Sequence, residues 1–216
     1  MNIHKQVLTT ALLLMMFAVI GACIVGLTYE TTYERIKRNE QMVLLRKLNT
    51  ILSPSEYDND LLDDQIELDP DELLGTSGPS KAYLAYKNNK PVAIVLSPVA
   101  PNGYSGPIHM LVGIYIDGSI AGVRVVKHRE TPGLGDAVES QRSDWVLGFD
   151  DRSLENPTSK KWKVKRDGGE FDQFTGATIT PRAVVKAVHS ALLYFQQHQK
   201  SLFQDNRDGS GTAENS

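Results

Sequence analysis

The chain has 216 residues, a formal net charge of −3, 41% hydrophobic and 23% charged residues. That is enough apolar material for one folded domain with appendages, and the lack of a basic surplus argues against nucleic acid as a partner, because phosphates need neutralising. The single cysteine, Cys23, excludes an intramolecular disulfide and a cysteine-built metal site.

Residues 7–29 (VLTTALLLMMFAVIGACIVGLTY) carry no charge. About 20 apolar residues in a helix cross a bilayer core, so this stretch reads as a transmembrane helix. Lys5 precedes it and Glu30 follows it, with Tyr29 and Tyr33 at the expected interface. A cleaved signal peptide has a shorter apolar core, about 7–15 residues. The run Ile20-Gly21-Ala22-Cys23 resembles a lipoprotein box, but Ile24-Val25-Gly26-Leu27 continues the apolar stretch beyond the cysteine. Lysines and arginines flank both ends, so charge alone leaves the orientation open.

Residues 31–52 read as a helix leading away from the membrane, with Ile36, Val43, Leu44, Leu48 and Ile51 at helical spacing and a stop at Ser53-Pro54. Residues 58–72 are acidic, with Leu61, Leu62, Ile66 and Leu68 interspersed. Their spacing fits no calcium loop and reads as a solvated linker or lobe. Strands are expected at 82–86 and 92–96 around the loop 87–91, and at 110–116 and 120–126 around Asp117-Gly118-Ser119, a strong hairpin signal. Residues 136–147 predict a short helix, and residues 162–164 a strand inside the basic run 160–166. A final helix is expected over 181–200, with Thr180 as cap, Pro181 at the first position, and Val185, Val188, Leu192 and Phe195 as its apolar stripe. Residues 204–216 form a polar tail expected to be disordered. The pattern is α+β: an anchor over 1–30, a helical stalk and acidic linker over 31–80, a hairpin-rich domain over 81–203, and the tail.

One segment carries chemistry. Residues 172–180 read Asp172-Gln173-Phe174-Thr175-Gly176-Ala177-Thr178-Ile179-Thr180, immediately before a helix start. Free N–H groups and the positive end of the helix dipole favour a phosphate there, and Gly176 and Ala177 let the backbone approach a ligand. The same residues also fit a plain threonine-rich capping turn.

The pattern Asp-x-x-Thr-Gly-Ala-Thr resembles the flavinylation motif of the FMN-binding domain family. That family includes RnfG of the Rnf electron transport complex and a flavin-bearing component, the C subunit, of the sodium-pumping NADH:quinone reductase. The resemblance implies that a magnesium-using flavin transferase takes FMN from FAD and bonds its phosphate to the hydroxyl of Thr178. Asp172 would belong to the sequence that the transferase reads, with Thr175, Gly176 and Ala177 completing the motif. Residues 128–135, His128-Arg129-Glu130-Thr131-Pro132-Gly133-Leu134-Gly135, resemble the family's second flavin-contacting loop. Glu130 and Thr131 would offer polar contacts, Gly133 and Gly135 close backbone approach, and Leu134 a face for the ring. The length of the chain suits the RnfG branch better than the longer quinone-reductase one.

The resemblance therefore implies a non-autonomous electron-transfer subunit with covalent FMN. It would sit in a bacterial inner membrane with its flavin domain facing the periplasm, beside the other subunits of an Rnf-type complex. Two other readings stand beside it: a non-redox binding module on a membrane stalk, and a hydrolase using Ser105 in Gly-Tyr-Ser-Gly, which lacks the full nucleophile elbow. The five histidines show no ligand spacing, so no metal site is expected.

Overall fold

The computed structural model describes residues 3–209. The chain divides into two compact units between Leu44 and Leu45. Helix α1, Ile3–Asn49, forms all described residues of the first unit and continues into the second. Its apolar stretch is long enough to cross a membrane, and none of that stretch is buried in the protein. The threonine hydroxyls within and beside it turn back on their own helix: Thr9 donates to the Lys5 carbonyl, Thr10 to Gln6, Thr28 to Ile24 and Thr31 to Leu27. Each of these hydroxyl protons is thereby satisfied in an apolar medium.

The second unit is built on a six-stranded antiparallel sheet. Its strands are β1 (Gln65–Leu68), β2 (Ser80–Lys87), β3 (Lys90–Leu96), β4 (Val99–Ala100), β5 (Ile108–Tyr115) and β6 (Ile120–Lys127). The order is β1-β2-β3-β5, with β4 beside the start of β5 and β6 on the other edge of β5. Both expected hairpins are present. The β2–β3 turn is tighter than expected, with Asn88 and Asn89 alone at φ 52° and 59°; positive φ at both central positions matches the twist of the flanking strands.

Alternation along the strands explains how both faces are covered. On one face Leu84, Ile94, Leu96, Met110, Val112 and Ile114 join Val184, Val185, Val188, Leu192 and Phe195 of helix α2, Ile179–Gly209, in the main core. On the other face Tyr83, Ala85, Ala93, Val95 and Leu111 are also buried, outside that core, as are Leu48, Ile51 and Leu52. The contact is closest at Gly113: a Cβ there would stand 2.3 Å from Ile51 Cγ2. Gly122 pairs with Gly113 across β5 and β6, so two missing side chains open the socket for Ile51. Arg124 donates to the Thr50 carbonyl at 2.7 Å and Lys47 to the Val126 carbonyl at 3.2 Å, binding the end of α1 to β6.

Several expectations change. Residues 45–80 lie in the same compact unit as the sheet, and of the linker and lobe readings of the acidic stretch 58–72 the packed one describes it. Leu61, Leu68 and Leu74 are buried, and β1 pairs with β2. Its carboxylates serve turns: Asp60 accepts from the Leu62 N–H, Asp71 from Leu73 and Asp58 from Asn88. The helix expected over 136–147 is two 3-10 turns, Gly135–Val138 and Asp144–Phe149, because the Ser143 hydroxyl accepts from the Trp145 N–H and starts the chain afresh. The strand expected at 162–164 is reduced to a single bridge between Val164 and Phe171. Helix α2 begins at Ile179 and runs through Gly209, so 204–209 are helical, and residues 210–216 lie outside the described residues.

An aromatic cluster packs in the core: Phe149 stacks on Phe171 at 4.7 Å, and the Trp162 ring lies 5.5 Å from that of His189, tilted by 32°. Burial holds the His189 imidazole below its ordinary value, and its Nε2 has no hydrogen-bond partner. The folded state thus resists protonation of His189. Its penalty is absent above the unfolded value of about 6.5 and grows as pH falls below it. The urea midpoint should drop between about pH 7.5 and 5.5, with a shallower drop in His189→Leu. At the sheet socket, Gly113→Val should cost about 1–3 kcal/mol in the same measurement, as overpacking of a filled site does.

Candidate functional site

The two sequence blocks meet in space as a pair of similar turns. In the first, the Leu134 N–H donates to the Thr131 carbonyl at 3.1 Å, with Pro132 and Gly133 between and Gly133 at φ 77°. In the second, the Ala177 N–H donates to the Phe174 carbonyl at 3.2 Å, with Thr175 and Gly176 between and Gly176 at φ 80°. Glycine takes that φ at the third turn position at no steric cost. A Cβ on Gly176 would lie 3.6 Å from Leu134 Cδ2, so the leucine of one turn lies over the glycine of the other. Leu134 and Ile179 remain 44% and 46% exposed, leaving an apolar rim beside Thr178.

Glu130 fastens this site from below. It is only 4% exposed. One carboxylate oxygen accepts the Ser105 N–H at 3.0 Å and the other accepts the Thr180 hydroxyl. Its own N–H donates to His128 Nδ1 at 3.0 Å, and His128 Nε2 meets Glu139 at 2.8 Å. Because Nδ1 accepts, the ring proton sits on Nε2 and points at Glu139. Thus one side chain ties together the loop 103–106, the turn 131–135 and the first turn of α2. Both carboxylate oxygens of Glu130 are engaged by these two partners, Ser105 and Thr180. Ser105 meets Glu130 through its backbone, and both nitrogens of His128 are engaged, so neither forms a nucleophile–base pair.

Thr180 was expected to cap α2 but lies inside it, buried and donating to Glu130. The Arg182 N–H bonds the Thr178 carbonyl at 3.4 Å, which puts Thr178 at the cap position. The N–H groups of Ile179 and Thr180 have no earlier helical carbonyl to meet, as at every helix start. Of the three hydroxyls in the motif, that of Thr180 is committed, while those of Thr175 and Thr178 carry no hydrogen bond among the described residues. Asp172 is at the surface, paired with Lys165 at 2.6 Å, and its carbonyl accepts from Trp145 Nε1 at 2.8 Å. The Trp145 ring meets Phe174 edge-on at 5.1 Å. Thr131 and Gly133 lie exposed on the first turn. The hydrogen bond from Trp145 to the Asp172 carbonyl and the locking role of Thr180 were not legible in the sequence, because both depend on partners remote along the chain.

The region 103–193 matches the family model of the FMN-binding domain, and 1–51 matches that of the RnfG N-terminal region. A relative from Pseudomonas aeruginosa, named as the G subunit of an ion-translocating oxidoreductase complex, is 47% identical over 199 residues, covering 92% of this chain and 93% of its own length. This chain belongs to the RnfG family. Relatives of the same name from Vibrio cholerae and Shewanella loihica are 47% and 43% identical, covering 88% and 92% of this chain and 91% and 93% of their own lengths. The resemblance read from the motifs therefore holds. The FMN-binding match contains Ser105, Glu130, both turns and Thr178, and the RnfG N-terminal match ends at Ile51, the residue seated on Gly113.

Glu130→Ala would strand the buried Thr180 hydroxyl, at about 1–3 kcal/mol, and release the Ser105 N–H of the exposed loop 103–106 to solvent. The denaturant midpoint should fall accordingly. Glu130→Gln, which can serve both partners, should retain most of the stability.

Proposed function

We propose that this chain is the membrane-anchored electron-transfer subunit of an Rnf-type ion-translocating complex, and that it carries FMN bonded through its phosphate to Thr178. One observation carries the attachment reading: Thr178 presents an uncommitted hydroxyl at the cap of a long helix, while Thr180, its neighbour in the motif, is locked to Glu130. A phosphate on Thr178 would face the unpaired N–H groups of Ile179 and Thr180 and the positive end of the α2 dipole. FMN, when bound, accepts and passes electrons one or two at a time.

In the attachment step the Thr178 oxygen forms a bond to the FMN-side phosphorus of FAD. The pyrophosphate bridge breaks, AMP leaves, and the hydroxyl proton passes to a base of the flavin transferase. This chain contributes the turn 174–177, exposed at Thr175 and Gly176 and held by Gly176 at positive φ and by Trp145 on the Asp172 carbonyl. Leu134 and Ile179 supply apolar surface beside the attachment point. Helix α1 serves as the anchor in a bacterial inner membrane, with the flavin domain on the periplasmic side and the other members of the complex as partners. The names of the relatives favour the RnfG reading over the quinone-reductase one.

Intact-mass measurement of the full chain, co-expressed with a flavin transferase, should show the polypeptide plus one bonded FMN. Denaturing gels under ultraviolet light should show a fluorescent band. Thr178→Ala should abolish both signals and Thr175→Ala should retain them; an unmodified Thr178 in peptide maps of the wild type would overturn the assignment. A reporter fused after Ser216 should report the periplasm.

A further inference from the structure

We infer that the Glu130 carboxylate lowers the reduction potential of the flavin, acting as a buried fixed charge beneath the site. The inference rests on FMN being carried at Thr178. Glu130 is 4% exposed and bonds to Thr180, two residues along α2 from the attachment point. No lysine, arginine or histidine forms an ion pair with it among the described residues; of the cations around the site, Lys165 and Arg182 pair with Asp172 and Asp167, and Arg129, Lys163 and Arg166 are exposed.

Hydrogen bonding alone does not call for a charge at this position. A glutamine could accept the Ser105 N–H with its carbonyl and donate to the Thr180 hydroxyl with its amide. Burying a carboxylate instead carries a desolvation penalty that the neutral amide avoids. Two features make the charge tolerable: two donors aimed at its oxygens, and the positive N-terminal end of α2, where Thr180 sits. The same placement gives the charge its effect. An unscreened helix N-terminus attracts electrons to a nearby group, and Glu130 cancels part of that attraction. Electron uptake adds negative charge to the flavin, and a buried carboxylate nearby opposes it more strongly than a surface one, because little water screens the interaction. Glu130 is thus a positioning residue for the loops and would be an electrostatic one for the cofactor.

The test is a spectroelectrochemical titration of the purified full chain in detergent, with dithionite and mediators at one fixed pH, after intact mass has confirmed one FMN per chain. Glu130→Gln should move the midpoint potential to a more positive value. Glu170→Gln removes an exposed carboxylate from the segment leading into the motif and should move it much less. Thr180→Val breaks the hydrogen bond but keeps the charge, and should leave the potential closer to wild type than Glu130→Gln does. Three results overturn the inference: an unchanged potential in Glu130→Gln, a shift no larger than that of Glu170→Gln, or an equal shift in Thr180→Val, which would make the role purely geometric. Loss of FMN from Glu130→Gln alone would also overturn it, placing the residue in attachment rather than tuning. A wild-type chain lacking FMN would instead refute the attachment reading itself.

Discussion

The site depends on one carboxylate that bonds in two directions. Glu130 receives a backbone N–H from the loop 103–106 and a hydroxyl from the first turn of α2, while its own N–H rests on His128. Those segments are remote in sequence and share no strand pairing. Loops of this kind are free to drift unless a buried polar group holds them, and a buried group is stable only when its hydrogen bonds are met. The lock also decides which hydroxyls remain at the surface. Thr180 is inside and spoken for, and Thr178 stands at the cap with its hydroxyl uncommitted.

The scaffold beneath the lock is a sheet covered on both faces. Helix α2 closes one face with its apolar stripe, and the buried side chains of residues 48–61 accompany the other. This arrangement explains why β2, β3 and β5 read as nearly continuous apolar runs, since alternation disappears when neither face meets water. It also gives the acidic stretch a structural purpose. Its leucines enter the fold while its carboxylates accept backbone N–H groups in tight turns, which lets a segment of high charge density pack into the domain.

Attachment and electron transfer make different demands on the same few residues. For the proposed attachment the hydroxyl of half-buried Thr178 must be reachable, and the partly exposed turn 174–177 beside it is stiffened by a left-handed glycine and an indole hydrogen bond. A cofactor that exchanges electrons with neighbouring proteins must also be near the surface, and the exposed Leu134 and Ile179 would offer it apolar contact without enclosing it. The rigid parts, Glu130 and the aromatic cluster of Phe149, Trp162 and Phe171, lie below.

The sequence by itself determined the elements whose signals are local. Residues 7–29 have the length and polarity of a membrane span, Asp117-Gly118 marks a hairpin, and Thr-Gly-Ala-Thr marks a turn before a helix. Only the tertiary structure decided what those elements touch. Thr178 and Thr180 are chemically alike and two residues apart, and nothing local separates a free hydroxyl from one bound to Glu130, 50 residues away. Gly113 looked like an ordinary strand residue until Ile51 was found in its place, and Ser143 split an expected helix because its side chain competes for the backbone. Propensity and period act over a few residues, whereas burial and hydrogen-bond satisfaction are settled by partners brought together across the whole chain.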